Sequence, residues 1–225
     1  MWYNITLKKT FSKGIKLMKK YTRYFAAAMA VTMVMGTFAG CSDKEKGGLA
    51  DGDTFVMTLY PEVAPITCEN FEKLVSDGFY DGLTFHRVVE GFMAQGGDPN
   101  GNGTGGSAEN IKGEFAQNGV ENSLSHQRGI VSMARSSDMD SASSQFFICY
   151  ADCSFLDGAY AAFGEITEGM EVIDSFLEVE RVYGSDGDIS SPTSPITISK
   201  AVMIEDDADG NPRVQFTMDE IPVAE

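Results

Sequence analysis

Histidine is nearly missing from this chain. Its 225 residues hold two, His86 and His126, and neither has thiols or carboxylates around it at zinc-ligand spacing. Cysteine is scarce too. Cys68, Cys149 and Cys153 stand at spacings that make neither a zinc set nor an even disulfide framework. Buried unpaired thiols are expected, with a bridge between Cys149 and Cys153 as the alternative. No glycine elbow surrounds Ser144, so the strained turn of a hydrolase nucleophile is absent. The G-x-G-x-x-G pattern of Gly101, Gly103 and Gly106 follows Asp98 and Pro99 and opens no helical period, which argues against a dinucleotide site. EDDADG, from Glu205, has Phe216 at its twelfth position, where a calcium loop needs a bidentate Glu. No metal and no cofactor is expected.

Positive charge is short past residue 41. Lys8, Lys9, Lys13, Lys16, Lys19, Lys20 and Arg23 precede it without a single acid, which leaves ten of the 17 basic side chains against all 33 acidic ones, a net charge of −23. A surface this acidic repels phosphate backbones and anionic headgroups, which excludes nucleic acid and electrostatic membrane binding. The uncharged run at 24–39 is too short for a comfortable membrane span, and behind its basic lead it predicts a secretory signal. FAGC at 38–41 resembles the bacterial lipobox, with Phe38 bulkier than the usual aliphatic residue, and the resemblance implies a lipid on Cys41. A plain membrane anchor with Cys41 free is the alternative. MKKYTRYFAAAMAV makes a complete signal by itself, so Met1 and Met18 are both candidate starts. The expected layout is a lipoprotein signal over 1–40, a lipidated Cys41 and flexible tether over 41–52, a folded domain over 53–204 and an appended acidic extension over 205–225.

Within the domain, TFVMTLY alternates and predicts a strand. APITCENFEKLVSDG predicts a helix with Pro65 near its start, Phe71, Leu74 and Val75 on one face, and Gly78 closing it. EGMEVIDSFLEV predicts a second, through Met170, Ile173 and Leu177. The other apolar runs, LTFHRVV, FMAQGG, GIVSMA, SQFFICY, AAFGEI and PITISKAVMI, are short and separated by turn residues. Many short strands with two helices point to a sandwich or closed barrel, and closure removes edges.

The blocks FHRVVEGFMAQGGDP (85–99), GTGG (103–106), GIVSMAR (129–135), SSQFFI (143–148) and FLDGAYAAFGEITEGMEVID (155–174) resemble, in order and spacing, a bacterial-type cyclophilin, a peptidyl-prolyl cis/trans isomerase. The resemblance implies a mainly β fold, a closed eight-stranded antiparallel barrel capped by two α-helices, with the site on its outer wall. It implies Arg87 as the catalytic donor and Phe92, Met93, Phe147 and Leu156 as an apolar pocket. Gln95 and Gln145 would offer amides to the substrate backbone or orient Arg87, and Ala134 and Arg135 match positions where a substrate strand pairs. Phe155 and Tyr160 stand where the best-known eukaryotic members carry Trp and His, so weak or no cyclosporin binding is expected. His86 and Asp98 are expected to be structural.

The chemistry implied is conformational. Twisting an X-Pro amide removes its resonance, a barrier of ~18–20 kcal/mol, and no bond breaks. A donor that meets the twisted amide better than either planar form lowers that barrier. Guanidinium suits the task because it stays charged and holds its donors in a plane. The expected protein is a monomeric isomerase of proline-containing, exported polypeptides, extracytoplasmic and lipid-anchored to a bacterial membrane. A proline-peptide-binding chaperone module with incidental turnover is the alternative.

Overall fold

A computed structural model describes residues 53–222. The expected signal, the lipid on Cys41 and the tether lie outside the described residues. TFVMTL forms strand β1 (Thr54–Leu59), buried along almost its whole length. Helix α1 (Pro65–Ser76) starts with proline, whose missing N–H costs nothing in a first turn. Its next donors meet a buried carboxylate: Ile66 and Thr67 donate their N–H groups to Glu114 at 3.0 and 2.8 Å. A negative charge there also complements the helix dipole. Gly78, at φ +71°, ends the turn that follows.

Seven more strands complete the main sheet: β2 (Arg87–Val89), β3 (Met93–Gly96), β4 (Ile130–Met133), β5 (Phe146–Cys149), β6 (Ala162–Glu168), β9 (Ile198–Ile204) and β10 (Arg213–Met218). Between β6 and β9 come the short helix α2 (Met170–Ser175) and a separate hairpin of β7 (Arg181–Tyr183) and β8 (Ile189–Pro192). The order is β2-β3-β5-β4-β6-β1-β10-β9, antiparallel throughout.

Two expectations are corrected. The barrel is not closed: β2 and β9 end the sheet as an open half-barrel. A single bridge, Thr84 to Thr197, crosses the seam, flanked by hydrogen bonds from Phe85 N–H to Ile196 O and from Ile198 N–H to Leu83 O. Gly82 at φ +80° breaks the extended run on one side, and Pro195 lacks the N–H to prolong pairing on the other. Nor is 205–225 appended. β10 lies between β1 and β9, and its alternate residues Val214, Phe216 and Met218 are buried in the core.

That core is aromatic. Phe216 stacks on Phe55 at 4.8 Å, and Phe71 of α1 meets Tyr80, Phe146, Phe163 and Phe216 within 6.4 Å. Each such ring, fully buried, is worth roughly 1.5–3 kcal/mol. A second, smaller apolar cluster stands apart from it: Met93, Phe147, Cys149 and Cys153, with Val89, Phe92, Ala134, Leu156 and Tyr160 against them. Strand parity makes the division, since Ala94, Phe146 and Ile148 join the main core while their neighbours Met93, Phe147 and Cys149 do not. All three described cysteines are free and buried, so the expected unpaired state holds and no bridge joins Cys149 to Cys153.

Candidate active site

Pairing register lines up one row of residues across three strands. Arg87 of β2 faces Gln95 of β3, and Gln95 faces Phe147 of β5. With strands about 4.8 Å apart, guanidinium and phenyl ring flank the amide from either side. A one-residue slip would send the whole row to the opposite face.

Over this row opens a hollow of about 130 Å³, lined by Arg87, Phe92, Met93, Gln95, Ala134, Arg135, Phe147, Leu156 and Tyr160. A dry cavity of ~150 Å³ holds benzene, so this one suits a five-membered ring. Nine of the eleven residues singled out in the domain therefore meet here. The other two stand beside it. Gln145 lines an adjoining polar cleft of about 350 Å³ that shares Gln95, Ala134 and Arg135 with the hollow. Phe155 is 72 % exposed on the rim, its ring 5.8 Å from that of Phe92.

Each wall has its own support. Arg135 donates from Nε and Nη2 to the Ala159 carbonyl, and its guanidinium lies 4.8 Å from the Tyr160 ring and 5.1 Å from that of Phe115. Its side chain thus braces Tyr160. Behind Phe147 lies His126, its ring parallel at 6.1 Å. Nδ1 of His126 is 2.7 Å from Asp157 Oδ1, and Nε2 is 3.0 Å from Ser132 Oγ. The three types match a hydrolase triad, but Ser132 and His126 are sealed from solvent under the floor, where no substrate carbonyl can reach. Burial lowers the His126 pKa, against the pull of Asp157.

Arg87 joins the hollow to a third cleft. Its Nη1 is 3.7 Å from Met93 Sδ and its Cζ 5.7 Å from the Phe92 ring, both at the hollow. Its Nε donates at 2.5 Å to Asp186, on the turn between β7 and β8. The cleft there, about 360 Å³, runs between His86, the loop at 101–103 and the hairpin. His86 has no hydrogen-bond partner for either ring nitrogen among the described residues, and burial lowers its pKa. Asp98 gathers the N–H groups of Asn100, Asn102 and Gly103, a loop-holding carboxylate as expected. Asp186, His126 and Asp157 carried no signal in the sequence beyond a turn-forming SDGD and a histidine of no evident use.

Comparison with known proteins bears on this arrangement. The family model for cyclophilin type peptidyl-prolyl cis-trans isomerase/CLD matches residues 48–203. Peptidyl-prolyl cis-trans isomerase B of Bacillus subtilis is 48% identical over 123 residues, 55% of this chain and 82% of that protein. Peptidyl-prolyl cis-trans isomerase A of Dickeya dadantii is 36% identical over 191 residues, 80% and 88% of the two chains. Among solved structures, a Cryptosporidium parvum cyclophilin type isomerase, crystallised in the presence of the dipeptide Ala-Pro, superposes with a TM-score of 0.58 at 30% identity, covering 66% of this chain and 94% of that one. An outer-wall hollow sized for a proline ring, an arginine at its edge and these matches together place the chain in the cyclophilin-type peptidyl-prolyl cis-trans isomerase family.

Proposed function

We propose that this isomerase turns X-Pro amides without covalent chemistry, Arg87 donating to the amide as it twists while the apolar hollow holds the proline ring. The observation that carries this reading is the pose of Arg87, whose Nη1 rests on Met93 Sδ, with the Phe92 ring beside its Cζ, in the wall of a hollow of about 130 Å³. Rotation makes the imide nitrogen pyramidal and more basic, so a fixed cationic donor gains strength on the way to the transition state. Gln95, Ala134, Arg135 and Gln145, shared with the neighbouring polar cleft, offer an extended substrate its backbone contacts. The Ala-Pro dipeptide named with the Cryptosporidium parvum structure supports proline-containing peptides as ligands.

The clients proposed are exported polypeptides, met outside the cytoplasm by a monomer tethered through lipid on Cys41. Support comes from the basic lead, the short apolar run and FAGC at 38–41. Cyclosporin binds weakly or not at all in this reading, because Phe155 offers no indole donor. NMR exchange on a proline tetrapeptide tests the mechanism. Arg87→Ala should cut turnover by roughly 100- to 1000-fold while peptide affinity stays within a few-fold. Unchanged turnover would refute the arginine's role; intact binding with essential function in cells would favour the chaperone alternative.

A further inference from the structure

Gln95 and Gln145, expected to offer amides to the substrate backbone or to orient Arg87, make no hydrogen bond to it. Gln95 Nε2 donates to Gln145 Oε1 at 2.8 Å, and Gln145 Nε2 donates to the Gly105 carbonyl at 2.7 Å, so the two amides brace each other and the glycine loop. What holds the guanidinium is Asp186 Oδ2, on the β7–β8 turn. That carboxylate is itself fixed. Its Oδ1 accepts from the Asp188 N–H at 3.1 Å and from the Ser190 hydroxyl at 2.8 Å. Gly187, at φ +86°, makes the turn possible. A Cβ on Gly184 would collide with Ser190 Oγ and crowd Asp186 Oδ1, so a side chain there would have to displace the two groups that meet.

We propose that Asp186 is a positioning residue for the isomerase reaction: it pins the Nε edge of Arg87 and so keeps the Nη edge on the proline hollow. The inference rests on the role given to Arg87 above. An arginine side chain has several rotatable bonds, and Arg87, 27 % exposed, is only loosely enclosed by Met93 and Phe92. The carboxylate grips Nε, on the side of the guanidinium that faces the hairpin, and takes neither terminal nitrogen, of which Nη1 rests on Met93 Sδ. It offsets part of the positive charge, but order outweighs that loss, since a misplacement of ~1 Å can cost on the order of 100-fold in rate.

The test uses the full chain and NMR exchange of a proline tetrapeptide, with Asp186→Ala, Asp186→Asn, Arg87→Ala and the Asp186→Ala/Arg87→Ala double variant. Asp186→Ala should lower kcat on the order of 10-fold with peptide affinity within about two-fold. Asp186→Asn should recover most of the rate, because its amide oxygen still accepts from Nε. In the Arg87→Ala background, Asp186→Ala should change the residual rate no further. A wild-type rate in Asp186→Ala, or the same loss with Arg87 already gone, overturns the proposal; the second result would mean that the hairpin merely supports the fold. If Arg87→Ala leaves turnover intact, the arginine mechanism fails and this inference with it. If Arg87→Ala cuts turnover and Asp186→Ala does not, this inference alone fails.

Discussion

Arg87 faces two neighbours of opposite kind, a carboxylate at Nε and a thioether at Nη1. Burial works to raise the Asp186 pKa, but the hydrogen bonds from Arg87, Ser190 and Asp188 outweigh it and hold the carboxyl at about 2. Its folded value lies below the ordinary 3.8, so the pair's contribution is full above that pH and lost as pH falls through about 2. The grip on Arg87 is therefore constant near neutrality. The two histidines behave otherwise. Both have lowered pKa values through burial, opposed at His126 by Asp157 and at His86 by Asp98. An unfolded chain takes up their protons near 6.5 and the folded one resists, so stability is full above that pH and declines below it. Thermal unfolding followed by circular dichroism should show Tm a few degrees lower at about pH 5.5 than at about pH 7.5. The His86→Gln/His126→Gln variant should flatten the difference, and a wild-type Tm that rises on acidification would contradict the account. Legibility at this scale followed parity. Alternation puts Met93 with Gln95, and Gln145 with Phe147, while Arg87 rests on the family likeness and the shared row on the strand register. Asp186 could not be placed, because it reaches Arg87 only when a hairpin remote in sequence folds over β2.

β10 is the element whose weight the sequence hid. Seven apolar runs are visible between 53 and 204, and the eighth strand, RVQFTM, follows the acidic EDDADGNP and lies beyond the family match. Its alternation was there to be read: Val214, Phe216 and Met218 point inward, with Gln215 and Thr217 between them. Acidity and position disguised it as a tail. The structure makes it the partner of β1 over five residue pairs and of β9 over six. Cutting the chain after Ile204 would leave two long strand edges unpaired and open the aromatic core, so the truncated protein should not fold cooperatively. Phe216→Ala, a milder change, should cost about 3–5 kcal/mol in denaturant unfolding. A truncated chain with wild-type unfolding behaviour would show that β10 is dispensable. The open seam was equally hard to foresee. Strand count and composition suggest closure, but whether β2 meets β9 depends on local conformation at Gly82 and Pro195.

The whole molecule is anionic past residue 41, at −23, which turns its surface away from acidic headgroups. Under the proposal that Cys41 is lipidated, attachment to a membrane would fall to that lipid, and one acyl chain alone would hold only marginally. Cell fractionation should find the chain in membranes, resistant to high salt, and its Cys41→Ser variant wholly soluble. Release of the unaltered chain by salt would contradict this. The sheet carries a further consequence, one of timing. Thr54 finds its partner in Thr217, so the first of the described strands to leave a ribosome waits for the last of them. Vectorial synthesis cannot assemble such a topology piece by piece; the chain as far as β10 must emerge before the central ladder zips up, and until then a sticky apolar ribbon is open to wrong partners. An isomerase of X-Pro bonds is thus itself a late maturer.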